Sequence, residues 1–150
     1  MTLSLSAILG LTTRFLVEVD GINLGGWGQC NGLAVEFKNK PIEEGGLYDY
    51  QHILPDKITY TEITLERAMN AADSAKVQAW LSSKVGSYMH NANAGGGSTA
   101  QITLCDANGH KVCSWSLRNV YPTKWEGPKL DAATSGIAKE TLKLAHEGFL

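Results

Sequence analysis

Apolar residues in this chain recur mostly at every second position, in short runs cut by glycine. From Arg14 to Asp20, Phe15, Val17 and Val19 alternate with Arg14, Leu16 and Glu18, the period of a half-buried strand. Gly21, Asn23 and the Gly25-Gly26-Trp27-Gly28 cluster break it. Leu33, Val35 and Phe37 share one face of a second strand. Pro41 to Gly46 predicts a turn, with Glu43-Glu44 solvated. Leu47 to Ile53 predicts a strand that Pro55 ends. Ile58 to Arg67, rich in Thr, Ile and Tyr, predicts another. Thr99 to Asp106 and Lys111 to Asn119 flank Asn108-Gly109, a dipeptide that adopts the positive φ angles of a hairpin turn.

One segment has the helical period instead. Val77, Trp80, Leu81 and Val85 fall on one face at i, i+3, i+4 and i+8, with Trp80 as the core anchor. Asp73 is placed to cap this helix and Gly86 to stop it. Asn91 to Ser98, with Gly95-Gly96-Gly97, reads as a loop. Ile137 to Glu147 fits both periods: Ala138, Leu142 and Ala145 suit a helix, whereas Ala138, Glu140, Leu142, Leu144 and His146 suit one strand face. Local propensity mildly favours helix there.

Composition narrows the class. A length of 150 residues predicts a single domain spanning 1–150, and 43% hydrophobic with 19% charged residues is the make-up of a globular protein. Sixteen glycines point to many turns between short strands. A net charge of −2 argues against nonspecific nucleic-acid binding, which needs clustered cations. No apolar run is long enough to span a bilayer, so no stable membrane association is expected. Met1 to Leu11 is apolar without a preceding basic residue and reads as an arm or first strand rather than a secretion signal. Three cysteines without a CxxC predict reduced thiols.

Candidate chemistry adds little. Cys105, His110 and Cys113 lie close on one hairpin, yet a structural zinc needs four ligands. A two-residue turn at Asn108-Gly109 would set Cys105 opposite Val112, and a three-residue turn centred on Gly109 would set it opposite Cys113. A pair of buried thiols is the expected state. His146-Glu147 would point to opposite faces of a strand and so make no acid/base pair. The glycine loop lacks the Lys-Ser/Thr ending of a phosphate loop. Trp115 and Trp125 lack the interleaved cations of a base-stacking platform, which leaves packing and subunit contact. No catalytic residue, cofactor-binding residue, metal ligand or cofactor is expected.

Longer motifs are more telling. Leu104-Cys105-Asp106-Ala107-Asn108-Gly109-His110-Lys111-Val112 leads into Trp115 and Asn119, then Tyr121-Pro122-Thr123-Lys124-Trp125-Glu126-Gly127-Pro128, then Lys139-Glu140-Thr141-Leu142-Lys143-Leu144-Ala145-His146-Glu147-Gly148. Upstream stand Phe15 to Gly21, Glu43-Glu44-Gly45-Gly46, Leu54-Pro55 and Leu65-Glu66-Arg67. The ordered set resembles the tail-tube proteins of contractile phages and phage-tail-like contractile injection systems. Asp56 and Ala68 depart from the family pattern, which has glycine at both places.

The resemblance implies a mainly β fold, an antiparallel β-sandwich or half-barrel with one packed α-helix, and a long strand rather than a helix at Ile137 to Glu147. It implies hexameric rings that stack into a hollow inner tube, driven through a target envelope and conducting cargo. The implied partners are further copies of the chain, a contractile sheath protein, baseplate and tail-terminator proteins, and cargo in the lumen, with no specific nucleic-acid sequence. Assembly in the bacterial cytoplasm and incorporation into a phage tail or tail-like particle follow from the same resemblance. The competing expectation is a β-sandwich carbohydrate- or peptide-binding module or effector carried by such a system.

Overall fold

The computed structural model describes residues 15–43, 45–46, 49–90 and 97–150. The expectations for Met1 to Leu11, for Glu44 and for most of the loop from Asn91 to Ser98 fall outside those residues. Among the described residues the strands are β1 (Phe15–Val19), β2 (Ile22–Asn23), β3 (Gln29–Asn31), β4 (Val35–Ile42), β5 (His52–Tyr60), β6 (Ile63–Ala68), β7 (Ser98–Cys105), β8 (Lys111–Glu126) and β9 (Lys139–Ala145). Helix α1 (Ala71–His90) lies between β6 and β7. Seven strands form one antiparallel sheet in the order β2-β1-β7-β8-β9-β6-β3, and β4 pairs only with β5. The fold is therefore mainly antiparallel β with one helix, as the sequence predicts.

Strand β8 explains how one sheet encloses one core. Its first half pairs with β7 and its second half with β9. At the switch Asn119 adopts φ +52, and the register slips opposite Ser98 to Ala100. Arg118 there bonds to the chain beyond β9: its N–H donates to Gly148 O (2.9 Å) and its C=O accepts from Glu147 N (2.8 Å). A bulge of this kind bends the strand and increases twist. Inward residues from both halves, Val17 and Ile102 on one side and Leu65, Leu142 and Leu144 on the other, consequently meet in a single cluster. That is the half-barrel form of the predicted architecture.

Helix α1 closes this core with Val77 and Trp80, both buried. Trp80 Nε1 donates to Asp20 Oδ2 (3.4 Å), and Lys84 lies 3.6 Å from the same oxygen. Asp20 itself sits in the β1–β2 turn at φ +53, so the turn, β7 (through Thr99 N) and the helix share one carboxylate. The cap is Asn70 rather than Asp73. Asn70 Oδ1 accepts Asp73 N (2.8 Å), and Asn70 Nδ2 reaches back to Asp73 Oδ2 (3.2 Å), which places Asp73 in the first turn. Gly86 does not stop the helix, which continues to His90. An interior glycine costs only about 1 kcal/mol relative to alanine, too little to end a packed helix. Val85, predicted on the apolar face, is exposed.

Four other expectations are corrected. The strand predicted from Ile58 to Arg67 is two strands, parted at Thr61-Glu62. Pro41, predicted to open a turn, lies in β4, and the strand predicted from Leu47 to Ile53 instead begins at His52 and runs through Pro55 to Tyr60; the prolines pair opposite Ile53 and Asn39, where an edge position needs no proline N–H. Pro122 to Glu126 belongs to β8, although the two prolines of Pro122 to Pro128 predict a rigid turn there. The Asn108-Gly109 hairpin sets Cys105 opposite Lys111, with Leu104 opposite Cys113, and Cys113 is exposed rather than buried. Asp106 makes that turn, its N–H reaching His110 O (2.9 Å) and its Oδ1 accepting the N–H groups of Asn108 (2.9 Å) and His110 (2.8 Å). These bonds, led by the one from His110, hold the Asp106 carboxyl below its ordinary value.

Candidate assembly surfaces and the buried node beneath them

The main surface feature is the β4–β5 ribbon. Every residue of β4 after Val35 is exposed, and so is every residue of β5 before Tyr60. Among the described residues no third strand pairs with it. Yet Phe37, paired with Ile58, is 60% exposed, and Ile53 is 65% exposed. Leu54 and Ile42 are exposed on the same ribbon. A two-stranded ribbon is marginal in water alone, and apolar side chains left on it mark a contact surface. Among the described residues neither ribbon edge is covered by a further strand, and an open edge is the template on which another chain can add.

A second surface is the outward face of the large sheet. The in-register pairs Glu18 with Gln101, Gln101 with Ser116, Thr103 with Ser114, Thr64 with Lys143 and Glu66 with Thr141 line it. It is polar and mixed in charge, with Lys139 3.7 Å from Glu66 and Lys124 3.4 Å from Glu126. These exposed pairs add little stability. They give a hydrated wall without a single sign of charge.

Behind the inward face of the sheet lies a buried polar node. Arg67 of β6 donates through Nε to Glu140 Oε1 of β9 (2.6 Å), with both side chains almost fully buried. Its Nη1 donates to the carbonyls of Leu24 and Gly26, its Nη2 donates to Asp73 O of α1 (2.8 Å), and its plane lies 4.0 Å over the Trp27 ring. Glu140 also accepts from Ser74 Oγ (3.0 Å) and from Trp125 Nε1 of β8 (3.2 Å). One ion pair thus fastens three strands, the first turn of the helix and the 24–27 segment. A carboxylate with no exposed surface and three donors meets no substrate, so the node is structural. It joins three of the sequence motifs, Leu65-Glu66-Arg67, the Trp125 segment and the Lys139-Glu140-Thr141-Leu142 segment.

The predicted positions are placed as follows. Leu142 is fully buried in a strand, so the C-terminal segment is β. Trp125 faces Leu142 and packs on the core, as does Trp115, which faces Ile102. Cys30, Cys105 and Cys113 are free thiols, and burial pushes the Cys30 thiol up to about 11. Among the described residues no group of three or more His, Cys, Asp or Glu gathers as a metal set. His146 lies just past β9, its Nε2 3.0 Å from Thr61 O and its Nδ1 accepting Gly148 N (3.1 Å). Burial depresses its pKa, the Thr61 carbonyl opposes that, and the charge of Arg118 adds to it. Neither this contact nor the Arg67–Glu140 pairing was assigned from the sequence. The signal for the pairing was a charged residue in phase with apolar ones, Arg67 with Ile63 and Leu65, and Glu140 with Leu142 and Leu144.

Comparison with known proteins agrees with this architecture. The fold matches a chain in the extended-state sheath/tube terminator of an extracellular contractile injection system, PVC, with a TM-score of 0.75 at 19% identity, covering 96% of each chain. A chain of the PVC sheath-tube complex in the extended state gives 0.74 at 20% identity, over 93% of this chain and 88% of that one. A chain from the six-fold symmetrised baseplate of the anti-feeding prophage gives 0.71 at 21% identity, over 94% and 93%. No match was found among curated proteins. The profile of the T4-like virus tail tube protein gp19 matches residues 11–150, almost the whole sequence. With the family match running over almost its whole length, this mainly β chain belongs to the T4-like virus tail tube protein family, whose members are structural tube subunits.

Proposed function

We propose that six copies of this chain close into a ring, that rings stack into the hollow inner tube of a contractile particle, and that the chain acts mechanically, without catalysis. The observation that carries this reading is the β4–β5 ribbon, which exposes Phe37, Ile53, Leu54 and Ile58 and pairs with no third strand among the described residues. A head-to-tail contact, in which the ribbon of one copy lies on a different surface of the next, closes by rotation into a ring. The polar sheet face then lines the channel, where charge of mixed sign holds no passing cargo tightly. A sheath protein, baseplate and tail-terminator proteins and a luminal cargo are the partners of this reading. It places assembly in the cytoplasm and the finished tube in a tail or tail-like particle. Among the described residues no helix is long and apolar enough to cross a membrane. The test is a Phe37→Ser, Ile58→Ser double variant. Both side chains are exposed in the subunit, so melting should stay unchanged while tubes disappear under electron microscopy. Normal tubes from this variant overturn the ribbon's role.

A further inference from the structure

The ribbon is joined to the sheet through two short links, 32–34 and 61–62, and His146 is bonded to the second. Gly32, at φ +103, lies so close to the Glu62 carbonyl that no Cβ fits. Thr61 N donates to Ala34 O (3.2 Å), tying the links together. His146 Nε2 lies 3.0 Å from Thr61 O, while its Nδ1 faces the N–H of Gly148 at 3.1 Å. An Nδ1 that accepts an N–H carries no proton, so the ring is the neutral Nε2–H tautomer, donating to Thr61. Tyr60, the last ribbon residue, packs edge-on to Phe149 (5.2 Å between centroids) and tilted on His146 (5.5 Å).

We infer that His146 is a proton-sensitive clip at the ribbon's root: neutral, it holds the 61–62 link through Nε2 and Gly148 through Nδ1, and protonated, it keeps the bond to Thr61 and releases Gly148. A proton on Nδ1 would point at the Gly148 N–H, turning an acceptor into a second donor. The new cation would also sit near Arg118 of β8, whose Nη1 already donates to Leu150 O (2.6 Å). The other ionisable groups around the root do not replace the lost bond. Glu62 of the link accepts Thr123 Oγ1 of β8 (2.6 Å), Tyr60 of β5 presents its ring, and Glu147 is bound through its backbone to Arg118 O. The sign follows from the depressed pKa: the clip's contribution is complete above the ordinary histidine value and is lost as pH falls through the lower folded one. Release of Gly148 loosens the neighbouring Phe149 from Tyr60 at the ribbon's end; the consequence for assembly, a ribbon less firmly aimed at the next copy in acid, rests on the tube reading, and the clip itself does not.

Amide hydrogen exchange on the soluble subunit tests it, expressed as protection relative to the free peptide. Between about pH 7.5 and the lowest pH at which the subunit stays folded, Gly148 should lose about fivefold or more of its protection while Thr61 and Leu142 keep theirs. In His146→Gln, whose amide can donate and accept without titrating, the loss should vanish. Flat protection at Gly148 in the wild type, or the same loss in both proteins, overturns the clip. Should the variant fail to fold, nitrogen shifts of the His146 ring decide. The Nε2–H tautomer titrating below the ordinary imidazole range supports the clip, and the Nδ1–H tautomer or an ordinary pKa overturns it. Because every reading is taken on the subunit, loss of the tube account would leave these outcomes unchanged.

Discussion

Replacing Glu140 with leucine probes the node most sharply. The substitution keeps roughly the volume but leaves the Arg67 guanidinium without its counter-ion at a site where both partners are almost fully buried. It also leaves the Ser74 O–H and Trp125 Nε1–H without the acceptor they share, although Ser74 Oγ still accepts from Asn70 N. Arg67 keeps the carbonyls of Leu24, Gly26 and Asp73, which neutralise no charge. Breaking a buried pair by removing one member costs about 3–5 kcal/mol. In a chain of this length that lowers the melting temperature by roughly 6–20 °C. Arg67→Met should cost a similar amount, since it leaves the carboxylate alone. The informative variant is the double, Arg67→Met with Glu140→Leu, in which no charge is stranded and apolar atoms fill the node. It should cost less than either single change, a large favourable coupling in a double-mutant cycle. Thermal unfolding followed by circular dichroism measures all three. A double variant whose loss equals the sum of the singles within about 0.5 kcal/mol would refute the reasoning, because the two residues would then act independently.

Other expectations follow from single sites. Leu142→Ala, at a fully buried strand position opposite Leu65 and Trp125, should cost about 2–5 kcal/mol and reduce tube yield, and unchanged melting would remove it from the core. Trp80→Ala should cost about 3–5 kcal/mol by urea unfolding, since it deletes the helix's largest core contact and the bond to Asp20. Gly32→Ala should destabilise the ribbon root, because φ +103 strains any other residue and the added methyl meets the Glu62 carbonyl; a neutral change in amide protection at Thr61 would contradict that geometry.

Some of this structure was written in residue order and some was not. Alternation gave β1, because it buries one face and the period of two survives in the sequence, and the Asn108-Gly109 turn gave β7 and the first half of β8 on either side of it. The C-terminal strand was legible only through the resemblance: Lys139–Ala145 has residues that propensity places in a helix, and burial of Glu140, Leu142 and Leu144 on one face decides for strand. The ribbon was misread because Pro41 and Pro55 look like breakers, and they are harmless only where no third strand needs their N–H. The break at Thr61-Glu62 had no local signal, since Thr, Ile and Tyr continue on both sides of it and the turn is imposed by Gly32 and His146 from elsewhere in the chain. The node was half legible. Arg67 and Glu140 each stood in phase with apolar neighbours, but their pairing across 73 positions needs the fold.

The central claim is that this chain is a ring-forming tube subunit, and electron microscopy of the purified protein across a concentration series tests it most directly. The account predicts six-fold rings that stack end to end into hollow tubes of uniform diameter. A protein that stays a folded monomer at every concentration, with the β4–β5 ribbon as solvent-exposed in solution as in the isolated subunit, would contradict it.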